Sequence, residues 1–176
     1  MRLFVALSLP DAVAGTMFLL QSGVPAAKWQ TREQLHLTLR FLGEVDGREA
    51  NAVDDALAAI STPPFSLSLK GVGEFGGKTP RALWAGVSDP AAVSHLARKI
   101  ETAMQRIGLP AETRKFTPHV TLARLRGAPA PKVLDWLSDH VLYASAAFEV
   151  RSFALYSSQL SHGGSVYVAE REYRLG

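Results

Sequence analysis

Two short strings hold the residue types best suited to proton transfer: His36-Leu37-Thr38-Leu39 and His119-Val120-Thr121-Leu122. Both read His-x-Thr-Leu, and their histidines stand 83 residues apart, close to half of the 176-residue chain. With nine threonines in the chain, any one His has only about a 5% chance of a Thr two positions on. A single His-x-Thr would pass for an ordinary strand in which Thr supplies β-propensity. Two of the five histidines sharing the pattern, with apolar flanks, point instead to a duplicated functional element. In an extended strand residues i and i+2 share a face. Each His then sits beside its own Thr, while Leu35, Leu37 and Leu39, or Val120 and Leu122, turn into a core. The expectation is two similar halves, each contributing one His/Thr pair to a shared cleft.

Two imidazoles facing one another suit in-line displacement at phosphorus. An unperturbed imidazole titrates near pH 6.5, so around neutrality one ring can be neutral and the other protonated. The neutral ring takes a proton from an attacking water while the protonated ring gives one to the departing oxygen. The Thr hydroxyls are donors for the non-bridging phosphoryl oxygens. With one His per cluster, no acidic partner at ligand spacing and no cysteine in the chain, no metal site is expected. No cofactor is expected either.

The elements that must position these residues follow from periodicity and punctuation. Arg2 to Ser8 reads as a buried strand. Pro10 and Asp11 open a helix with the stripe Val13, Thr16, Met17 and Leu20, stopped by Gly23. Lys28-Trp29-Gln30 is a short strand leading into the first motif strand, Leu35 to Leu42. Asp46 and Glu49 form a capping pair ahead of a helix with the face Val53, Ala56, Leu57 and Ile60. Phe65, Leu67 and Leu69 alternate with polar residues, the signature of a half-buried strand. A glycine-rich loop from Gly71 to Lys78 and a strand from Ala82 to Val87 complete a long hairpin. Asp89-Pro90 starts the clearest amphipathic helix, with Val93, Leu96, Ala97, Ile100, Met104 and Ile107 on one face. The second motif strand, Val120 to Leu125, is followed by a short helix carrying Val133, Trp136 and Leu137. A final hairpin of Phe148 to Ser157 and Ser165 to Tyr173 turns at Gly163-Gly164. Strands that come in pairs favour an α+β architecture with mainly antiparallel sheets and outer helices. No linker divides the chain, so residues 1–176 are expected to form a single domain of two lobes.

Composition sets bounds. The chain is 47% hydrophobic and 20% charged, ordinary for a soluble globular protein. A formal net charge of +3 and a pI near 9.4 mildly favour anionic partners such as nucleotides or RNA, but no dense Lys/Arg block marks a nucleic-acid arm. Pro10-Asp11 interrupts the first apolar run too early for a signal peptide. No stretch approaches the roughly 20 apolar residues of a membrane span. A cytoplasmic monomer with no membrane association is the expectation, and the absence of cysteine fits a reducing compartment.

The motifs resemble a known family. His36 to Val45 (HLTLRFLGEV) and Phe116 to Leu125 (FTPHVTLARL) are similar to the two signature motifs of the two-histidine (2H) phosphoesterases. The match is to the bacterial and archaeal RNA 2′,3′-cyclic phosphodiesterases, historically called 2′-5′ RNA ligases. Phe4-Val5-Ala6-Leu7, Leu83-Trp84-Ala85-Gly86, Leu155-Tyr156-Ser157-Ser158 and Tyr167 extend the resemblance over nearly the whole chain. It implies a bilobal, pseudo-two-fold fold with a central cleft, and hydrolysis of 2′,3′-cyclic phosphate at RNA 3′ ends or on nucleotides to leave a 2′-phosphate. Position by position it implies that His36 is the proton donor, His119 the proton acceptor, and Thr38, Thr121 and Arg124 the phosphate-binding residues. Alternatives open to the same site are 2′,5′-ligation of RNA, hydrolysis of a small cyclic phosphate such as that of ADP-ribose, and non-catalytic nucleotide or RNA binding.

Parity complicates two arginines. Arg124 lies five residues after His119, so a regular strand turns it away from the cleft; either the strand bends there or Arg124 is structural. Arg40 has the cleft parity, or is a solvated strand end. Trp29 and Phe116 stand near the motifs as base-stacking or core residues. Gly71-Val72-Gly73-Glu74-Phe75-Gly76 matches a dinucleotide fingerprint only formally, because no helix follows it. Gly77-Lys78-Thr79 lacks the first glycine of a P-loop. His95, His140 and His162 read as surface or capping residues.

Overall fold

The apolar runs of this chain become strands, and its two longest amphipathic stripes become helices packed on one side of them. The computed structural model describes every residue from Met1 to Gly176. The first part contains β1 (Arg2–Ser8), α1 (Asp11–Phe18), β2 (Ala27–Trp29), a 3₁₀ turn at Arg32–Gln34, β3 (His36–Glu44) and α2 (Gly47–Ala58). Next come β4 (Phe65–Leu67), β5 (Leu69–Phe75), β6 (Ala82–Val87), α3 (Ala91–Arg106) and β7 (Val120–Leu125). The chain ends with α4 (Ala130–His140), β8 (Phe148–Val150), β9 (Ser152–Ser161) and β10 (Gly164–Arg174).

The capping pair before α2 forms in both directions: the Glu49 N–H donates to Asp46 Oδ1 at 2.8 Å, and the Asp46 N–H donates to Glu49 Oε2 at 2.9 Å. Asp89 accepts the Ala91 N–H at 3.1 Å, although α3 begins one residue later than Pro90. Helix α1 ends at Phe18, short of Gly23, because Leu19 and Leu20 close it in a turn.

The glycine-rich segment departs from expectation. Gly71 to Phe75 belong to β5 rather than to a loop, and the turn toward β6 starts only at Gly76. Gly71 takes φ +75° at an irregularity in the β5–β6 ladder, a conformation that favours glycine. At Gly73 the Trp84 indole lies where a side chain would be: a Cβ there would stand 2.1 Å from Trp84 Cζ2.

The fold is α+β with antiparallel pairing throughout. Eight strands form one sheet in the order β10-β9-β1-β3-β7-β6-β5, with β2 also paired to β7, while β4 and β8 form a separate small ribbon. The sheet has two wings that meet at a seam, where β3 and β7 share one registered pair, Leu37 opposite Val120. The wings are not the two halves of the sequence. The wing bearing His36 draws β1 and β3 from the N-terminal part and β9 and β10 from the C-terminus. The wing bearing His119 holds β5, β6, β7 and β2. A single cluster of 36 buried apolar residues runs under both, with Leu37 and Val120 fully buried at the seam. No helix is long and apolar enough to cross a membrane.

Candidate active site

The seam brings the two motifs together. Pairing Leu37 with Val120 in an antiparallel ladder sets His36 across from Thr121 and Thr38 across from His119, with all four side chains on one face. The two histidines are then diagonal neighbours, and such neighbours have Cα atoms roughly 7–8 Å apart. The approximate dyad passes between Leu37 and Val120, as expected for a site assembled from a repeated motif.

Each motif also carries a bulge at the same place. In the β1–β3 ladder the register runs from Ala6 opposite Thr38 to Val5 opposite Arg40, which leaves Leu39 unpaired. In the β6–β7 ladder it runs from Trp84 opposite Thr121 to Leu83 opposite Ala123, which leaves Leu122 unpaired. The extra residue reverses the alternation of side chains beyond it. Leu39 with Arg40, and Leu122 with Ala123, are consecutive buried pairs, which a regular strand would not give. Both parity arguments therefore change sign. Arg124 emerges on the face of His119 and Thr121, exposed, and its charge acts on both imidazoles. Arg40 is neither in the cleft row nor a solvated strand end. It is buried, with Nε on Glu101 Oε2 at 2.5 Å and its two other nitrogens on the carbonyls of Phe41 and Pro110 at 2.6 Å. The position equivalent to Arg124 in the first motif is Phe41, whose ring is 49% exposed and lies 6.1 Å from that of Phe4.

The two rings are oriented alike. His36 Nδ1 lies 2.7 Å from the Gln34 carbonyl, and His119 Nδ1 lies 2.6 Å from the Thr117 carbonyl. A carbonyl oxygen only accepts, so each Nδ1 carries the hydrogen and each Nε2 is left as the reactive nitrogen. Thr38 Oγ1 lies 2.9 Å from His36 Nε2, and the neutral ring accepts the hydroxyl proton.

Their surroundings differ. His36 is enclosed by Phe4 at 4.9 Å, Tyr167 at 5.1 Å edge-on, and Tyr156 at 6.5 Å. Burial pushes its pKa down to about 4; the Gln34 carbonyl opposes this, and the Arg124 and His119 charges add to it. His119 packs edge-on against Phe75 at 5.0 Å and beside Trp84 at 6.0 Å. It is also held below the ordinary imidazole value, first by burial and then by Arg124, against the Thr117 carbonyl. The expectation of one protonated ring near neutrality does not hold for the empty site. Burial biases both rings toward the neutral form there, and an anion between them would raise both pKa values.

Beyond Leu37, β3 no longer pairs with β7 and faces the loop that precedes it. The gap opens as a groove of about 670 Å³ between Thr38–Phe41 and Glu112–Thr117, with His119 at its mouth and α3 as its far wall. Phe116 lines this groove while packing on the core. Trp29 packs against Trp136 at 6.3 Å, a core contact away from the histidines. No group of three or more His, Cys, Asp or Glu side chains is placed to hold a metal ion.

Comparison with known proteins fits this geometry. The family model for the 2′-5′ RNA ligase superfamily matches residues 16–161. The chain belongs to that superfamily. An RNA 2′,3′-cyclic phosphodiesterase of Archaeoglobus fulgidus is 31% identical over 171 residues, 95% of this chain and 96% of that protein. Another of that name, from Geobacillus stearothermophilus, is 36% identical over 142 residues, 79% of this chain. This chain spans only about half of that longer relative, 45% of its length. Among solved structures, E. coli LigT complexed with 3′-AMP superimposes with a TM-score of 0.81 at 28% identity, over 99% of this chain and 97% of that one.

Several residues that shape this site lie outside the two His-x-Thr motifs. Tyr156 and Tyr167 reach His36 from the C-terminal hairpin, while Phe75 and Trp84 reach His119 from β5 and β6. Trp84, Tyr156 and Tyr167 stand in strings that extend the family resemblance, but the sequence does not specify the strand pairing that brings them, or Phe75, to a histidine.

Proposed function

We propose that the protein hydrolyses the 2′,3′-cyclic phosphate at the 3′ end of RNA to a 2′-phosphate, with two histidines and no metal ion. The observation that supports this most is the pair of histidines that the Leu37–Val120 pairing makes diagonal neighbours, each with Nδ1 bonded to a carbonyl so that Nε2 is left to react. Relatives named RNA 2′,3′-cyclic phosphodiesterase support the substrate class, and the nucleotide complex of LigT supports a nucleotide-sized occupant.

In this reading His119, the less enclosed ring, takes a proton from the attacking water through Nε2. His36 delivers a proton from Nε2 to the departing 3′ oxygen. The P–O3′ bond breaks as the bond to the water oxygen forms, so the phosphate remains on O2′. Thr38, Thr121 and Arg124 bind the non-bridging oxygens and hold the added charge. Since burial keeps His36 neutral in the empty site, the acid is created when the anionic substrate arrives and its negative charge draws a proton onto the ring.

The test is ³¹P NMR of a cyclic-phosphate-ended oligonucleotide incubated in EDTA with the wild type and with His36→Ala and His119→Ala. A 2′-phosphomonoester is expected from the wild type. Each variant should be slower by roughly 10²–10⁴-fold, the ordinary range for acid–base catalysis. Full activity in either variant, or its loss to EDTA in the wild type, contradicts the mechanism.

A further inference from the structure

We propose that the groove leading away from His119 and Thr38 holds single-stranded RNA: the nucleotides immediately 5′ of the cyclic-phosphate end. This rests on the activity proposed above and adds where its RNA substrate is held beyond the terminal nucleotide.

The charge carries the argument. The groove is lined by five cations, Arg40, Arg81, Arg98, Arg114 and Lys115, and by two carboxylates, Glu101 and Glu112. Both carboxylates are committed: Glu101 pairs with the buried Arg40, and Glu112 with Arg114 at 3.5 Å. Arg81, Arg98 and Lys115 are exposed and take part in none of the chain's ion pairs. The excess of three positive charges in this one groove equals the formal excess of the whole chain, +3. The positive excess that mildly favours anionic partners in composition is thus matched by the charge of this one groove beside His119. Such a row of unpaired cations tracks a phosphate backbone by releasing its counterions.

The shape and the aromatic groups favour a single strand. The groove starts at the two motif side chains on its near side, where β3 parts from the loop before β7, so it continues the cleft itself. Phe41 is half exposed at its edge, and Phe75 and Phe116 also line it. Aromatic faces beside a cationic track suit unstacked bases, which a duplex does not present. The far wall is held rigid: Glu101 takes the Arg40 guanidinium on one oxygen and the Glu112 N–H at 2.9 Å on the other, tying α3 to the loop. Arg98 also borders a second depression of about 660 Å³ between α2 and α3, beside His95, Lys99 and Arg106, so the cationic surface continues past the groove.

The experiment compares kcat/KM on a cyclic-phosphate-ended tetranucleotide and on a mononucleotide 2′,3′-cyclic phosphate, for the wild type and for Arg98→Glu/Lys115→Glu. A second arm measures binding of a labelled 2′-phosphate-ended tetranucleotide by fluorescence anisotropy at several salt concentrations. The wild type should prefer the tetranucleotide by about tenfold or more, and the charge reversal should collapse that preference. It should also weaken tetranucleotide binding by about tenfold and flatten the log–log salt dependence by about 0.7 for each cation removed. Equal wild-type rates on both substrates, or a variant that keeps the preference and the affinity, overturn the inference and leave the hydrolytic activity standing. If the wild type hydrolyses neither substrate, the proposed activity fails. The anisotropy arm then decides the groove alone: binding that resists charge reversal overturns it, and binding that weakens sustains it.

Discussion

At the scale of single residues, the environment of the two imidazoles decides when the site works. Both pKa values lie below the ordinary imidazole value in the empty site, His36 at about 4. Under the proposed mechanism the free enzyme is competent when the pair holds one proton, so kcat/KM should fall at low pH with two protons and at high pH with none. The bell in kcat/KM is therefore expected to peak below about pH 6.5, because it reports the free enzyme. The kcat profile should sit higher, since bound phosphate raises both rings. Steady-state rates across pH 4–9 check this, and a kcat/KM optimum above pH 7.5 contradicts it. The same burial affects stability. Unfolded, His36 takes its proton near pH 6.5; folded, only near pH 4. Between those values the unfolded chain holds more protons, so stability falls as pH drops through that window and levels off below it. The loss is roughly 2–3 kcal/mol, discounted for the ring's partial exposure. Urea melts at pH 7 and pH 4 should show it in the wild type and show a smaller difference in His36→Phe.

At the scale of elements, the bulges after Thr38 and Thr121 explain why a strict period of two fails at both arginines: at Arg124 the strand bends, one of the two alternatives the parity left open, and Arg40 turns into the core. A period of two holds only while the ladder is regular, and one unpaired leucine in each motif reverses every side chain after it. The identical Leu in the two strings gave no hint that it was the extra residue. The two arginines should accordingly fail in different ways. Arg124→Ala is expected to lower kcat/KM by roughly 10²-fold through lost charge stabilisation, with little change in unfolding midpoint. Arg40→Ala should cost roughly 3 kcal/mol by leaving Glu101 without its partner. Thermal melts beside kinetics separate them, and the reverse pattern contradicts the bulge. Gly73 carries no local signal that it seats the Trp84 indole, because the contact joins two strands across a hairpin. Gly73→Ala should destabilise by roughly 1–3 kcal/mol and slow catalysis by displacing Trp84 beside His119.

At the scale of the whole molecule, periodicity and caps made the helices and most strands legible, and the repeated motif made the cleft legible. The origin of each wing was not. Long-range strand pairing leaves little trace in one sequence, and the pairing of β9 with β1 puts Tyr156 and Tyr167 of the C-terminal hairpin around a histidine near the N-terminus. Division of the chain into sequence halves should therefore fail. Residues 1–88 and 89–176 made separately are expected to lack cooperative unfolding by circular dichroism, because each half's core is covered by strands that belong to the other. A cooperatively melting half would contradict the interleaved wings.

The central claim is that His36 and His119 act on one phosphoryl group in one step. It is tested most directly by a double-mutant cycle of kcat on a cyclic-phosphate-ended oligonucleotide: His36→Ala, His119→Ala and both together. Groups that work as a unit are strongly non-additive, so each single loss should be roughly 10²–10⁴-fold and the double variant little worse than either single. Losses that multiply, or a single variant that keeps wild-type kcat, would mean that the two histidines do not share the reaction.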